Sequence, residues 1–336
     1  MQQEAGTEKA IAKQQMPRYL RSVVGYFRDN IGIMIGLFVL CIVVSIANPV
    51  FLTAPNLLNV LRQITTNLYL ALAMTMVIII GGIDLSVGSV VAAVGVVTAM
   101  SIAILGLPIP VAVIIGLSVG VLFGAFNGFF AATTAIPPFI ITLATMNVAR
   151  GVAFILTEGS PVRVMDPAFI FIGSGHIGFM PMPVIYLIFF IILCYFIMNK
   201  TKLGRHIYAV GGNIEAARFS GINIKKVKMF AFSFSGFMAG FAGVVLASRM
   251  FSGQPNAGQG AELDAIAAVV LGGTSMKGGI GRIGGTIIGA LVIGVLNNGL
   301  NLMGVSSFWQ MVVKGFVILI AVYADVVKRR RAETSK

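Results

Sequence analysis

Long runs of apolar residues, separated by short polar stretches, dominate the hydropathy pattern of the chain. A helix that crosses the hydrocarbon core of a bilayer needs roughly 20 apolar residues, and ten runs approach that length. They lie near 31–49, 64–82, 87–105, 109–133, 138–157, 183–199, 229–248, 264–276, 284–303 and 307–326. The run at 264–276 is short and the breaks near 82–87 and 133–137 are tight, so counts of nine and eleven also fit. The pattern predicts an all-α polytopic membrane protein with about ten transmembrane helices.

Composition supports a location in lipid. Of the 336 residues, 57% are hydrophobic and only 10% are charged, whereas soluble domains carry about 25% charged residues. The net charge of +13 would suit nucleic-acid binding, but that function needs a continuous basic face. Here long apolar runs separate the charges, so we expect membrane lipid and no nucleic acid among the partners.

The basic residues indicate the topology. Nineteen of the 24 Lys and Arg residues lie in the two tails, in the segment 200–228 and in the loop 277–282, and cytoplasmic loops carry an excess of such residues. Six spans before 200–228 and four after it bring all these clusters to one face. We therefore predict a cytoplasmic tail over 1–30, a transmembrane domain over 31–326 with a cytoplasmic loop at 200–228, and a cytoplasmic tail over 327–336.

Glycines recur at helical spacing. Gly116, Gly120, Gly124 and Gly128 share one side of one helix, and small residues at this spacing let two helix backbones approach closely. The pairs Gly32/Gly36, Gly236/Gly240 and Gly285/Gly289 repeat the pattern. Packing within one subunit explains it, while a dimer contact or a sliding surface is the alternative.

A weak internal echo links the two halves of the chain. The fourth span ends in Asn127-Gly128 and the ninth in Asn297-Asn298-Gly299. Five spans per half would also give the halves opposite orientations, as in transporters built from inverted repeats. The sequence leaves open whether two inverted five-helix halves are present.

Enzymatic and metal chemistry find little support. Cys41 and Cys194 are far apart in apolar runs, and the only histidines are His176 and His206, so we expect neither a metal site nor catalytic residues. The glycines at 279, 281 and 284 match a dinucleotide fingerprint by letter but lack its strand–helix context, and we interpret them as a turn. Without a phosphate-binding loop of the GxxxxGK[ST] type, the chain binds no ATP itself, and another polypeptide would have to do so.

Polar residues within and beside the spans are the candidate functional residues, because they are costly in a membrane. Asp84 and Ser86 interrupt two apolar runs, where they either cap the next helix or act in gating or the pathway. The candidate pathway residues are Asn127, Asn147, Asn297 and Asn298 within spans, and Gln254, Asn256, Glu262 and Asp264 in an outward polar stretch.

That polar stretch offers the amides and carboxylates that recognise a neutral polyol, although a plain exit loop with Asp264 near a helix N-cap explains it equally well. Arg150 and Lys314 also lie within spans, where they either snorkel or form structural pairs. Few carboxylates lie within the membrane, which disfavours coupling to protons or sodium.

The segment 211–222 predicts a short cytoplasmic helix closed by glycine. A short helix that projects from a membrane bundle has little of its own to pack on, so docking to a partner is plausible. Its candidate contact residues are Glu215, Ala216, Ala217, Arg218, Ser220, Gly221 and Ile222.

At these residues a family resemblance emerges. Glu215-Ala-Ala with Gly221 resembles the loop by which permease subunits of bacterial ABC importers dock their ATPase subunits. With the motifs around Asp84–Gly88, Glu262–Ser275 and Leu296–Asn301, the chain over roughly 30–328 resembles the permeases of monosaccharide importers, most closely those for ribose.

The resemblance implies a homodimeric permease in the bacterial inner membrane, with both termini cytoplasmic. Its partners would be ATPase domains, commonly two fused in one chain, that hold ATP and magnesium, and a periplasmic sugar-binding protein. The segment Glu215–Ile222 would be the coupling helix. The alternative from the residues is a stand-alone secondary carrier or facilitator for a small neutral polar solute, and a membrane enzyme is a third.

Overall fold

The computed structural model describes residues 18–334. Thirteen helices and four two-residue strands lie in that range. The helices are α1 (Arg18–Ala47), α2 (Ala54–Ile79), α3 (Val87–Ala103), α4 (Ile109–Thr133), α5 (Pro138–Thr157), α6 (Pro167–Ser174), α7 (Met182–Lys200), α8 (Lys202–Gly212), α9 (Ile214–Phe219), α10 (Ile224–Arg249), α11 (Ala261–Leu271), α12 (Ile283–Leu302) and α13 (Ser307–Thr334). The strands form two antiparallel pairs, β1 (Val162–Arg163) with β4 (Ser252–Gly253) and β2 (His176–Ile177) with β3 (Met180–Pro181).

Within residues 18–334, six helices are long and apolar enough to cross a bilayer, namely α2, α4, α5, α7, α10 and α12. Shorter apolar stretches occur in α1, α3 and α13. Helix α11 has 11 residues, which makes it about 16 Å long, against about 30 Å of hydrocarbon. The helical membrane character is confirmed, while the count of ten spans and the two inverted halves stay predictions.

Several helix boundaries differ from the apolar runs. The run predicted at 64–82 belongs to α2, which begins at Ala54, and the run at 264–276 corresponds to α11, which begins at Ala261. Helix α1 begins at Arg18, inside the predicted tail 1–30, whose residues 1–17 lie outside the described range. Residues 335 and 336 of the predicted C-terminal tail also lie outside it.

Helix α2 lies at the centre of the bundle. In the most apolar 18-residue stretch of α2, 83% is buried, against 22% of the corresponding stretch in α4 and 33% in α7. It packs against α10, α12, α11 and α7. Because α4 and α7 instead expose many large apolar side chains, they belong to the outer layer that meets lipid.

The glycine pattern of α4 creates the closest helix crossing. Gly120 and Gly124 face Gly236 and Gly240 of α10, and a Cβ built at Gly120 would lie 2.6 Å from the Gly236 carbonyl oxygen and 2.9 Å from the Gly240 Cα. Two backbones therefore meet with no side chain between them. At this crossing, the prediction of packing within one subunit is confirmed.

The other glycine pairs differ from one another. Gly289 of α12 packs on the backbone of α11, where its Cβ would lie 3.0 Å from the Gly272 nitrogen. Gly32 and Gly36 have open space within 4 Å in the described structure. Packing within one subunit thus accounts for the pair in α12 but not for the pair in α1.

The glycine-rich segment at 278–281 is a turn between α11 and α12, as predicted. Gly278 and Gly279 adopt positive φ angles of 89° and 75°, and the Gly279 N–H donates to the Ile79 carbonyl oxygen at the end of α2 over 2.8 Å. Gly211 of α8 packs on the same point, where a Cβ would lie 2.7 Å from the Gly279 nitrogen. The turn joins three backbones, whereas Gly284, predicted as part of the turn, lies inside α12.

Candidate functional site

A buried polar cluster forms around Asp84, between the ends of α2 and α3. The Asp84 carboxylate accepts hydrogen bonds from the Ser86 hydroxyl over 2.6 Å and from the Ser235 hydroxyl of α10 over 2.8 Å. The Ser86 hydroxyl accepts from the Asn127 amide of α4 over 2.9 Å, and Asn127 accepts from the Thr145 hydroxyl of α5 over 2.6 Å. All five residues are buried.

This Asp84 cluster (Asp84, Ser86, Asn127, Thr145, Ser235) ties three helices to the α2–α3 connection. Ser86 occupies the N-cap position of α3, but its side chain makes no capping hydrogen bond, so capping by the Ser86 side chain is wrong. Asp84 instead accepts from the Ser86 N–H at 3.0 Å within the connection. Since it is enclosed, Asn127 contacts the connection rather than an open pathway.

A second polar cluster contains an ion pair. The Lys314 ammonium of α13 lies 2.9 Å from an Asp264 carboxylate oxygen of α11, and the Asn67 amide of α2 donates to the same oxygen over 3.3 Å. Asp264 is buried and lies inside α11, whose N-cap is Gly260. Because Asp264 belongs to the first turn of this helix, the prediction that it lies near an N-cap is confirmed. Of the two alternatives for Lys314, structural pairing is confirmed.

A polar cavity of about 330 Å³ lies between α5 and the loop that leads into α11. Three predicted pathway residues line it, Asn147, Asn256 and Glu262. The remaining lining residues are Ser89, Met146, Arg150, Phe154 and Gln259. The sequence pattern had not singled out Ser89 or Gln259. Each is a single polar residue next to glycine, a setting that is also common in turns and helix ends.

Arg150 fixes the loop at this α5–α11 cavity. Its guanidinium donates to the carbonyl oxygens of Pro255 and Ala257, over 2.7 and 2.8 Å. Glu262 lies close enough for its charge to interact with that of Arg150, and its buried Oε2 atom has no hydrogen-bond partner within the described residues. Glu262 thus lines the cavity, while its Oε2 atom is enclosed by protein.

The other predicted pathway residues lie elsewhere. Asn298 exchanges hydrogen bonds of 3.0 Å with Asn56 of α2, and Gln254 donates to the Ser252 hydroxyl over 3.2 Å. The Asn297 side-chain oxygen is buried without a partner in residues 18–334. None of these three residues lines the α5–α11 cavity.

Helix α9 and the three residues that follow it form the segment 214–222, which lies within the 200–228 loop. The Asn213 side chain caps α9 by accepting from the Ala216 N–H over 2.9 Å. Gly221 follows the helix with a φ of +77°, so the predicted short helix closed by glycine is confirmed. Glu215 and Arg218 form an exposed ion pair of 3.2 Å.

One face of α9 is anchored and the other is free. Ala217 is buried against the bundle, whereas Phe219 is 89% exposed. Phe219 was not among the residues predicted to contact a partner, although an aromatic residue in a charged loop was the available signal. The outer face of α9 therefore presents an aromatic side chain that does not pack on the rest of the described structure.

Beneath α9, helix α8 holds the segment against the bundle. The Tyr208 hydroxyl donates to the Gly281 carbonyl oxygen of the glycine-rich turn over 2.8 Å. Burial raises the pKa of the Tyr208 phenol, so this group stays a neutral donor. The turn after α11 and helix α8, which precedes α9, are thereby joined.

The chain matches a family of transport proteins over most of its length. The family described as "branched-chain amino acid transport system / permease component" matches residues 56–322. No solved structure matches the chain significantly.

Individual relatives are named as sugar permeases. The ribose import permease protein of Haemophilus influenzae is 45% identical over 306 residues, which cover 90% of this chain and 94% of that protein. Its counterpart in Bacillus subtilis is 48% identical over 299 residues, 88% of this chain and 92% of that protein. The xylose transport system permease protein of Escherichia coli K12 is 36% identical in an alignment that covers 84% of this chain and 87% of that protein.

Proposed function

Because the chain belongs to this family of transport-system permeases, we propose that it is the membrane-spanning subunit of an ATP-binding-cassette importer for ribose or a related monosaccharide. The observation that carries the proposal is the 45–48% identity to ribose import permeases over about nine tenths of the chain. It is a multi-pass protein of the inner membrane and not an enzyme, since ATP hydrolysis belongs to a separate subunit.

The family description names branched-chain amino acids, whereas the relatives are named for ribose and xylose. We follow the relatives, because the ribose permeases are 45–48% identical to this chain over about nine tenths of its length. The family description covers a wider set of transport proteins. The α5–α11 cavity also contains polar side chains that can pair with sugar hydroxyls, among them Asn147, Asn256 and Glu262.

The segment 214–222 is the proposed coupling helix, which docks into the ATPase subunit. Support comes from its capped ends, its exposed Phe219 and its anchored Ala217. A rigid segment of this kind transmits ATPase closure as a rigid-body change between inward- and outward-facing states. ATP and magnesium would be held by the partner, as two ATPase domains commonly fused in one chain.

The full assembly in this proposal contains two copies of the chain, the ATPase subunit and a periplasmic sugar-binding protein. Ten spans with both termini in the cytoplasm place the basic segment 200–228 beside the ATPase. The pairing of Asp264 with Lys314 supports an ATP-driven importer over a proton- or sodium-coupled carrier, because this intramembrane carboxylate is already neutralised.

Reconstitution into proteoliposomes tests the proposal. The chain with its ATPase subunit and sugar-binding protein should accumulate labelled ribose when ATP is supplied, and the chain alone should move no ribose under a proton or sodium gradient. Gradient-driven uptake by the chain alone would instead support the secondary-carrier alternative.

The docking role has its own test. Phe219→Ala should weaken co-purification of the ATPase subunit with the permease in detergent. Phe179→Ala is the matched control, because Phe179 is 77% exposed in the 158–181 connection, on the opposite face in the proposed topology. Equal co-purification for both variants would contradict the docking role.

A further inference from the structure

Asn147 is an exposed polar residue at the middle of α5, a 20-residue apolar helix that is long enough to span the membrane. Its amide nitrogen donates to the Leu143 carbonyl oxygen over 3.1 Å, and its side-chain oxygen has no partner in the described structure. An unsatisfied polar group facing hydrocarbon is costly. This face of α5 therefore meets water or protein rather than lipid.

Arg150 lies on the same face, one turn further along α5. Its two hydrogen bonds to the carbonyls of Pro255 and Ala257 hold the loop against the helix. The side chains of Asn256 and Gln259 extend from that held loop into the α5–α11 cavity, exposed and without hydrogen bonds within residues 18–334. Their amides are available to a ligand.

Glu262 provides the third element. Its Oε2 atom is buried and has no donor within the described structure, and it packs directly over Gly88, where a Cβ would collide with that oxygen. A buried carboxylate oxygen without a donor costs free energy. Glu262 also lines the cavity, so its carboxylate lies close to a hydroxyl group that enters.

The lining chemistry selects a ligand class. At about 330 Å³ the cavity is large enough for a small molecule. A sugar hydroxyl both donates and accepts, so it can pair with the Glu262 carboxylate and with the amides of Asn147, Asn256 and Gln259. Met146 and Phe154 add apolar side chains to the lining.

The geometry points to a monosaccharide-binding site in the α5–α11 cavity, where Glu262 accepts a sugar hydroxyl and the amides of Asn147, Asn256 and Gln259 bind the others. This inference rests on the proposed function. Arg150 acts as a positioning residue, because its visible hydrogen bonds go to the loop backbone. Asn127, Asn298 and Gln254, which the sequence grouped with these residues, stand outside the site.

Transport by the complete importer tests the site. In proteoliposomes that contain the chain, its ATPase subunit and its sugar-binding protein, Glu262→Gln should lower ATP-driven ribose uptake about tenfold, the effect of one lost hydrogen bond to a charged group. Asn256→Ala and Gln259→Ala alter exposed loop side chains and should lower uptake without loss of folded protein. Gln254→Ala, in the same loop but outside the cavity, is the control.

The outcomes separate the two levels of the proposal. If the unaltered importer carries no ribose, the proposed function fails. If it carries ribose and the three cavity variants match Gln254→Ala, only this site is refuted. Valine uptake that depends on Glu262 would overturn the assignment of the cavity to a sugar.

Thiol labelling gives a readout that does not depend on transport. In a Cys41→Ser, Cys194→Ala background, Asn147→Cys should react with a membrane-impermeant maleimide, and ribose at high concentration should slow the reaction. Val148→Cys, exposed on the neighbouring face of α5, is the control for a lipid-facing position. A cysteine at 147 as unreactive as one at 148 would refute the site.

Discussion

Gly120→Ala tests the crossing of α4 and α10 most directly. The new Cβ would lie 2.6 Å from the Gly236 carbonyl oxygen and 2.9 Å from the Gly240 Cα. Ordinary contacts are about 3.3 Å for carbon to oxygen and about 3.5 Å for carbon to carbon. Both neighbours are backbone atoms, so the two helices must separate by roughly 0.6–0.7 Å along the crossing.

The expected cost follows from that separation. Overpacking a close contact costs about 1–3 kcal/mol, and alanine regains about 0.5–1 kcal/mol over glycine within a helix. The net destabilisation should be about 1–2 kcal/mol, which corresponds to a melting temperature lower by a few degrees. Gly151→Ala on α5 is the matched control, because nothing lies within 4 Å of a Cβ at that position.

Cys194 supplies the assay. Its side chain is fully buried in α7, so a thiol-reactive fluorophore reports its exposure as the detergent-solubilised protein unfolds on heating. Cys41→Ser removes the second thiol from the background. Gly120→Ala should melt below the unaltered chain, and Gly151→Ala at or slightly above it. Equal melting of the two variants would refute the backbone contact between α4 and α10.

Three further perturbations probe the polar contacts. Gly88→Ala should lower ribose uptake by the complete importer, because its Cβ would displace the Glu262 carboxylate. Lys314→Met should destabilise the protein by about 3 kcal/mol, because it leaves Asp264 as a buried carboxylate without its cation. The double variant that also carries Asp264→Asn should recover most of this loss. The same thermal assay measures both variants. Gly221→Val should reduce ATP-dependent uptake while membrane insertion is retained, because a branched residue at a φ of +77° costs about 1–2 kcal/mol in the turn that closes α9.

Each of these has a result that contradicts it. Uptake by Gly88→Ala equal to that of Gly151→Ala would show that the Glu262 position is unimportant. A Lys314→Met variant as stable as the unaltered chain would mean that the ion pair is solvated. Gly212 also has open space around it, but its φ is not positive, so Gly212→Val is the control for Gly221→Val. If both variants reduced uptake equally, the backbone conformation of Gly221 would not explain the effect.

Hydropathy located the outer helices well and the central one poorly. Helices α4 and α5 coincide with their predicted runs, helped by prolines near their first residues. Helix α2 extends further back because its first turns contain polar residues such as Asn56, which lower the apolar signal. Asn56 pairs with Asn298 of α12, and hydropathy carries no information about such partners.

The candidate site shows the same division. Sequence reasoning selected residue types suited to a polar pathway, but helix packing decides which of them meet. Glu262 and Asp264 came from one stretch, yet positions two apart on a helix point in different directions. Glu262 therefore packs over Gly88, and Asp264 reaches Lys314.

Contacts between distant positions were beyond the sequence altogether. Ser235 lies 151 positions from Asp84 and completes its hydrogen bonds. Its small side chain in an apolar run resembles those of the many small residues used only for close packing. The hydropathy pattern cannot distinguish a serine hydroxyl that pairs with a buried carboxylate from one that donates to a carbonyl of its own helix.

The contact among Ile79, Gly211 and Gly279 is expected to resist deformation. Three backbones meet there without an intervening side chain, and packed backbone has no rotamers with which to absorb a displacement. A force applied at α9 reaches this contact through only the few residues between Gly211 and Ile214. It is then delivered to the end of α2, the most buried of the long apolar helices within residues 18–334. Direct backbone packing thus connects the surface segment to the central helix.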